Sequence, residues 1–186
     1  VEKIHALEIR NFKELNAEMS TSADPLSLPT YHQIILAKNK EGLKNLYKLV
    51  SYSYLDYYRR FPRIPKTVLE KHRDGLIIGS ACVAGELMQA IIDNKPENEI
   101  EEIASFYDYL EIQPISNNRF MIAEGTFSSD EDLRNLNRRV VALGEKLNIP
   151  VVATCDAHFL DEEDEIFRRV MVSVKFKNED LETMNY

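Results

Sequence analysis

The 186 residues contain no tryptophan and only two cysteines, Cys82 and Cys155. Two cysteines without repeating spacing cannot build a disulfide framework, and no C-x-x-C pair is present. Glycine is scarce at six residues, none of them arranged as a phosphate-cradling loop or as the G-x-S-x-G elbow of a hydrolase. No apolar run reaches the length of a membrane span, and the opening VEKIHALEIRNF has no signal-peptide pattern. A cytoplasmic location and no membrane partner are therefore expected. Positive charge is also short: 23 Lys and Arg against 31 Asp and Glu leave a formal net charge of −8. A domain that gripped DNA alone would be basic, because phosphate neutralisation dominates that affinity. If a larger protein holds DNA, other domains supply most of the grip. The carboxylates bunch at Glu97–Glu102, Asp130–Asp132 and Asp161–Glu165, and such runs read as solvated helix starts.

What is present suits a soluble globular domain with a real core, at 44% hydrophobic and 29% charged residues. Ile4, Leu7, Phe12, Leu15 and Met19 lie near helical spacing, which predicts one amphipathic helix or two short ones over Val1–Met19. Ser20–Pro29 has linker composition. This sets an expected boundary between a helical segment with its linker, 1–29, and a domain over 30–186. Strands are expected at Tyr31–Lys38, Leu76–Ser80, Tyr109–Pro114 and Pro150–Thr154, the last of them buried. Helices are expected at Lys40–Tyr54, up to Lys71, at Gly85–Asn94 and Glu97–Phe106, from Ser129 to Leu147, and at Glu162–Val174. Ser129 and Asp132 form a capping-box pattern at the start of the long helix. Tyr57–Lys66 reads as a Pro- and Arg-rich loop. Strands separated by helices of this length predict parallel pairing and an α/β fold.

In such folds chemistry gathers where strands end. The strand PVVAT runs into Cys155, Asp156, Ala157 and His158. On an extended segment Asp156 and His158 point to the same side, so a carboxylate and an imidazole can converge on one cation. An N-cap Asp beside an exposed His fits the same spacing. His32, near the start of the first strand, reads either as a core histidine or as a ligand. Cys82, just past LIIGS, reads either as a small buried hydrophobe or as a ligand. Alternation turns Cys155 the opposite way from Asp156, toward the core, while His5 and His72 fall among charged helical residues at the surface. Arg59, Arg60 and Arg63, interleaved with Tyr57, Tyr58 and Phe61, match either a nucleic-acid contact or a loop packed by its own rings.

Several ordered strings carry a resemblance. YHQIILAKNKEGLKNLYKLVS, GLIIGSACVAGEL and PVVATCDAHFLDEEDEIFRRV are similar to segments of the PHP domain of bacterial replicative polymerases. LDYYRRFPRIPKTVLEKHRDGL and ASFYDYLEIQP resemble the PolC type of DNA polymerase III alpha subunit. The similarity covers roughly Thr30 to Val174. It implies a partial, distorted PHP-type (β/α) barrel of parallel strands alternating with helices, with a metal cluster at the strand C-terminal ends. The family's ligand positions correspond to His32, Cys82, Asp156 and His158, for zinc or manganese in an intact site. The family's opening H-x-H, its later T-D-H and its Glu ligand do not occur in this chain. Nor do the palm carboxylates that bind catalytic magnesium.

The resemblance therefore implies a fragment of a DNA-directed DNA polymerase, with no catalytic residue of its own. Its DNA contacts would be made through other domains, and replisome partners such as the sliding clamp would belong to the parent. Val1–Met19 corresponds to the region after an inserted exonuclease. Loss of the opening barrel strands would bare an edge at Tyr31–Lys38, expected to be covered by the Val1–Met19 helix or by a second copy. The alternative is a freestanding PHP-family metal-dependent phosphoesterase.

Overall fold

The computed structural model describes residues 29–155 and 157–171, together with the backbone alone of 3–4, 8–10 and 172–175. The chain divides into two compact units, Val1–Leu110 and Glu111–Tyr186.

In the first unit β1 (Lys3–Ile4), β3 (Ile34–Ala37) and β5 (Leu76–Gly79) form one sheet with β3 in the middle. Both pairings are antiparallel, with Ile4 opposite Ile35 and Ile35 opposite Ile78. A second sheet pairs β2 (Glu8–Arg10) with β4 (Arg63–Pro65) in parallel, Ile9 opposite Ile64. β2 and β4, which are parallel, were not among the expected strands, and the expected strands β3 and β5 pair antiparallel. The parallel rule holds for a single helical crossover. Between β3 and β5 the chain passes through α1 (Lys40–Leu55), β4 and α2 (Lys66–Lys71), so it returns in the opposite sense.

Two further expectations are corrected here. Where Val1–Met19 was expected to be helical, Lys3–Ile4 and Glu8–Arg10 are strands, because the edges of β3 and β4 supply backbone partners that outweigh a short helical pattern. The β3 edge is accordingly covered by a strand rather than by a helix or a second copy. Tyr57–Lys66 is not a continuous loop either, since it contains the buried strand β4. A proline is tolerated there because β4 has a single partner, β2, among the described residues.

α1 starts at Asn39, whose side chain accepts a hydrogen bond from the Gly42 N–H at 2.9 Å. Gly42 lies so close to Gly75 that a Cβ on it would sit 1.8 Å from the Gly75 carbonyl oxygen. The backbone of α1 therefore packs directly on the turn that launches β5. Leu46 and Leu49 from α1, Ile64 from β4, Leu69 from α2 and Ile35 and Ile78 from the sheet are fully buried and form the core. They are joined by Leu87 of α3 (Glu86–Ile92) and Ile100 of α4 (Glu97–Ala104).

β6 (Leu110–Ile112), whose last two residues open the second unit, pairs with β7 (Val151–Ala153). A 3₁₀ turn at Ile115–Asn118, the short helix α5 (Phe120–Ala123) and the long helix α6 (Asp130–Leu147) lie between them, and α7 (Glu165–Lys175) follows. Leu133, Leu136, Val140 and Leu143 recur at helical spacing on α6 and are buried. Ser129 caps α6 as expected, accepting from the Asp132 N–H, and Asn148 ends it in the left-handed region at φ 54°. β7 was expected to be buried, yet Val152 and Ala153 are exposed. An apolar strand run is buried on both faces only when a layer lies on each. The expected domain boundary after Pro29 lies at the margin of the described residues.

Candidate metal centre

The C-terminal end of β5 is built to hold a short loop rigidly. Ser80 donates its N–H to the Tyr109 carbonyl at 3.2 Å, and the buried Gln33 amide donates to the Gly79 carbonyl. Ala81 then takes φ 62°, a left-handed conformation that costs a non-glycine residue strain and turns the chain sharply. The loop closes when the Gly85 N–H reaches the Cys82 carbonyl at 2.8 Å. A Cβ at Gly85 would stand 2.2 Å from the Ser80 carbonyl oxygen and 3.0 Å from that of Cys82, so only glycine fits. The Gln89 amide further anchors the loop by donating to the Val83 carbonyl at 2.7 Å.

This loop brings His32 to Cys82. His32 lies beside Gly85 in a parallel bridge, with its N–H donated to the Ala84 carbonyl at 2.9 Å. Its Nδ1 is 3.5 Å from Cys82 Sγ, and both residues are half-buried. Two ligands at ordinary zinc–sulfur and zinc–nitrogen lengths in a tetrahedral site stand about 3.6 Å apart. The observed separation is that of a direct thiol–imidazole hydrogen bond and equally of two ligands on one cation, and a thiolate with an imidazole is a donor pair suited to zinc.

The other expected ligands belong to the second unit. Asp156 lies outside the described residues, and His158 is exposed in the segment after β7. The start of that segment is fixed by the Thr154 N–H on the Ile112 carbonyl at 3.0 Å and by Asn117 Nδ2 on the Cys155 carbonyl at 2.8 Å. Thr154 Oγ1 donates to Glu111 Oε2 at 2.9 Å. Cys155 was expected in the core and is exposed instead, because the strand ends at Ala153 and alternation no longer governs the chain beyond it. Among the described residues no group of three or more His, Cys, Asp or Glu side chains is close enough to hold a metal. His32 and Cys82 are the pair that the structure unites.

The three arginines separate. Arg59 and Arg60 are exposed in a tight turn where Arg59 bridges Phe61 and Arg60 has φ 63°. Arg63 sits in β4 at 4% exposure. Its guanidinium is thereby removed from any phosphate at the surface, which corrects its place in the expected nucleic-acid contact. Alternation around Pro62 and Pro65 offered no sign of that burial.

Two buried carboxylates were missed by the sequence reading. Glu111, at 3% exposure, lies in β6. Glu86, at the first position of α3, pairs with Lys66 Nζ at 2.9 Å in a largely dry setting. Lys66 also lies 4.2 Å above the centre of the Phe106 ring. Burial pushes the neighbouring Tyr107 phenol well above its ordinary pKa, helped by the negative charge of Glu86 and by Tyr31. The hint for Glu86 was a carboxylate at a helix start within an apolar stretch, which a solvated cap explains equally well.

Residues 3–115 match the PHP domain family. The chain is also similar over most of its length to proteins named DNA polymerase III PolC-type. It is 53% identical over 167 residues to that of Clostridium perfringens, covering 90% of this chain and 12% of the relative. For Bacillus subtilis the identity is 46% over 165 residues, covering 89% and 11%. For Staphylococcus epidermidis it is 36% over 173 residues, covering 93% and 12%. The chain thus spans only 11–12% of the length of these relatives.

Proposed function

Because this chain belongs to the PHP domain family, we propose that it is the metal-binding, structural PHP module of a replicative DNA polymerase of the PolC type. The parent would add deoxynucleotides to a primer with magnesium bound by domains beyond this segment. It would hold DNA and replisome subunits such as the sliding clamp through those domains, in the cytoplasm. In this reading His32, Cys82, Asp156 and His158 are the ligands for zinc or manganese. The observation that carries it is the 3.5 Å approach of Cys82 Sγ to His32 Nδ1.

Bound there, a divalent cation would supply a cross-link between strand ends and a compensating charge for the Cys82 thiolate. The residues of this chain do the positioning. Gly85 lets the loop close, Ala81 turns Cys82 toward His32, and the His32 N–H on Ala84 sets where its ring stands. Cobalt(II) titration of the intact parent tests the assignment. A thiolate-to-cobalt charge-transfer absorption is expected, and Cys82→Ser should abolish it. An unchanged spectrum in that variant would remove Cys82 from the site.

A further inference from the structure

The outward side of α1 is chemically unlike the rest of this acidic chain. Lys40, Lys44 and Lys48 recur every four residues and are all exposed. Beside them Tyr47 is 59% exposed and Tyr54 is 58% exposed. An open groove of about 450 Å³ runs along this face, lined by the three lysines, Leu43, Tyr47 and Ser51 among others. The opposing acid is Glu41, 3.9 Å from Lys44 in a solvent-exposed pair, and exposed pairs of that kind hold a lysine weakly.

We propose that this face of α1 is a binding surface for single-stranded nucleic acid, with phosphates on Lys40, Lys44 and Lys48 and a base stacked on Tyr47. The helical rise sets successive lysines of the stripe about 6 Å apart along the axis, close to the step between phosphates of an extended single strand. A duplex would need a broader positive field than three lysines in a chain of charge −8 provide. An acidic peptide would satisfy the lysines but offers Tyr47 a flat ring only where an aromatic residue falls in register, whereas every nucleotide carries one. Tyr54 stacks on Tyr58 at 6.1 Å between ring centres, which carries the aromatic surface toward the exposed Arg59 and Arg60. This surface is independent of the metal centre and does not rest on the polymerase reading.

The test is fluorescence anisotropy of a labelled oligothymidylate titrated with the full 186-residue chain at about 50 mM salt, with circular dichroism to confirm that each variant folds. A dissociation constant within about 10⁻⁴–10⁻⁶ M and a log–log salt slope near −2, as three neutralised phosphates give, are expected. Lys44→Glu with Lys48→Glu should weaken binding by at least about tenfold. Tyr47→Ala should weaken it by about tenfold and Tyr47→Phe should leave it unchanged, because stacking needs the ring and not the hydroxyl. Absence of binding, binding indifferent to these substitutions, or equal competition by polyglutamate would each overturn the proposal.

Discussion

Gly85 shows how much a single residue controls at the end of β5. Its φ is an ordinary −76°, so the reason for glycine is space and not backbone freedom. Gly85→Ala sets a methyl group 2.2 Å from a backbone oxygen that cannot swing away. We expect a destabilisation of about 1–3 kcal/mol, the usual range for overpacking, measurable by urea unfolding. The same substitution should also weaken metal binding, since the loop it opens carries Cys82. Lys66 makes a second case. Its side chain is 15% exposed and that of Glu86 is 8% exposed, so Lys66→Met strands a buried carboxylate. A loss of about 3–5 kcal/mol is expected, and adding Glu86→Leu should restore most of it. If the double variant were no more stable than Lys66→Met alone, the pair would not be the reason for the loss. Neither Gly85 nor Lys66 was legible as a contact from the sequence. Close approach and ion pairing depend on which segments meet across the fold, and these partners lie far apart or turn back on themselves.

At the scale of elements the sequence was more informative. The helices at Lys40–Leu55 and Asp130–Leu147 lie within a residue or two of their expected bounds, because apolar periodicity and caps are local signals. β4 escaped because three residues that follow one proline and end on another carry no alternation to read. The pairing sense of β3 and β5 escaped because it depends on the route between them. Near the start of α6, Arg119 donates to both carboxylate oxygens of Asp130, the shorter contact being 2.6 Å. This hydrogen bonding holds the Asp130 carboxyl below its ordinary value. A carboxyl lowered by folding adds stability that is fully present above its unfolded pKa, about 3.9, and is lost as pH falls through the folded value. Arg119→Leu should therefore flatten the acid limb of the stability curve below about pH 4 while leaving its shape near neutrality unchanged. An unchanged acid limb would mean that the pair contributes nothing to α6. Ser129→Ala should cost about 1 kcal/mol by removing the cap.

For the whole molecule, charge and identity point the same way. A chain of net charge −8 that spans 12% of its PolC-type relative in Clostridium perfringens should not hold duplex DNA at about 150 mM salt more tightly than the 10⁻⁴–10⁻⁶ M typical of non-specific binders. The strand-end strings made Cys82, Asp156 and His158 legible as candidates, a place near a strand start did so for His32, and resemblance made them a set. The fold brings the first two to 3.5 Å, a proximity that residues so far apart in sequence could not disclose. On the proposed function these four side chains are ligands of one metal. That assignment is tested most directly by elemental analysis of the intact parent protein carrying Asp156→Ala and His158→Ala together. Bound zinc or manganese is expected to fall to a small fraction of the unsubstituted level, and the melting temperature to fall with it. Metal content unchanged from the unsubstituted protein would contradict the assignment.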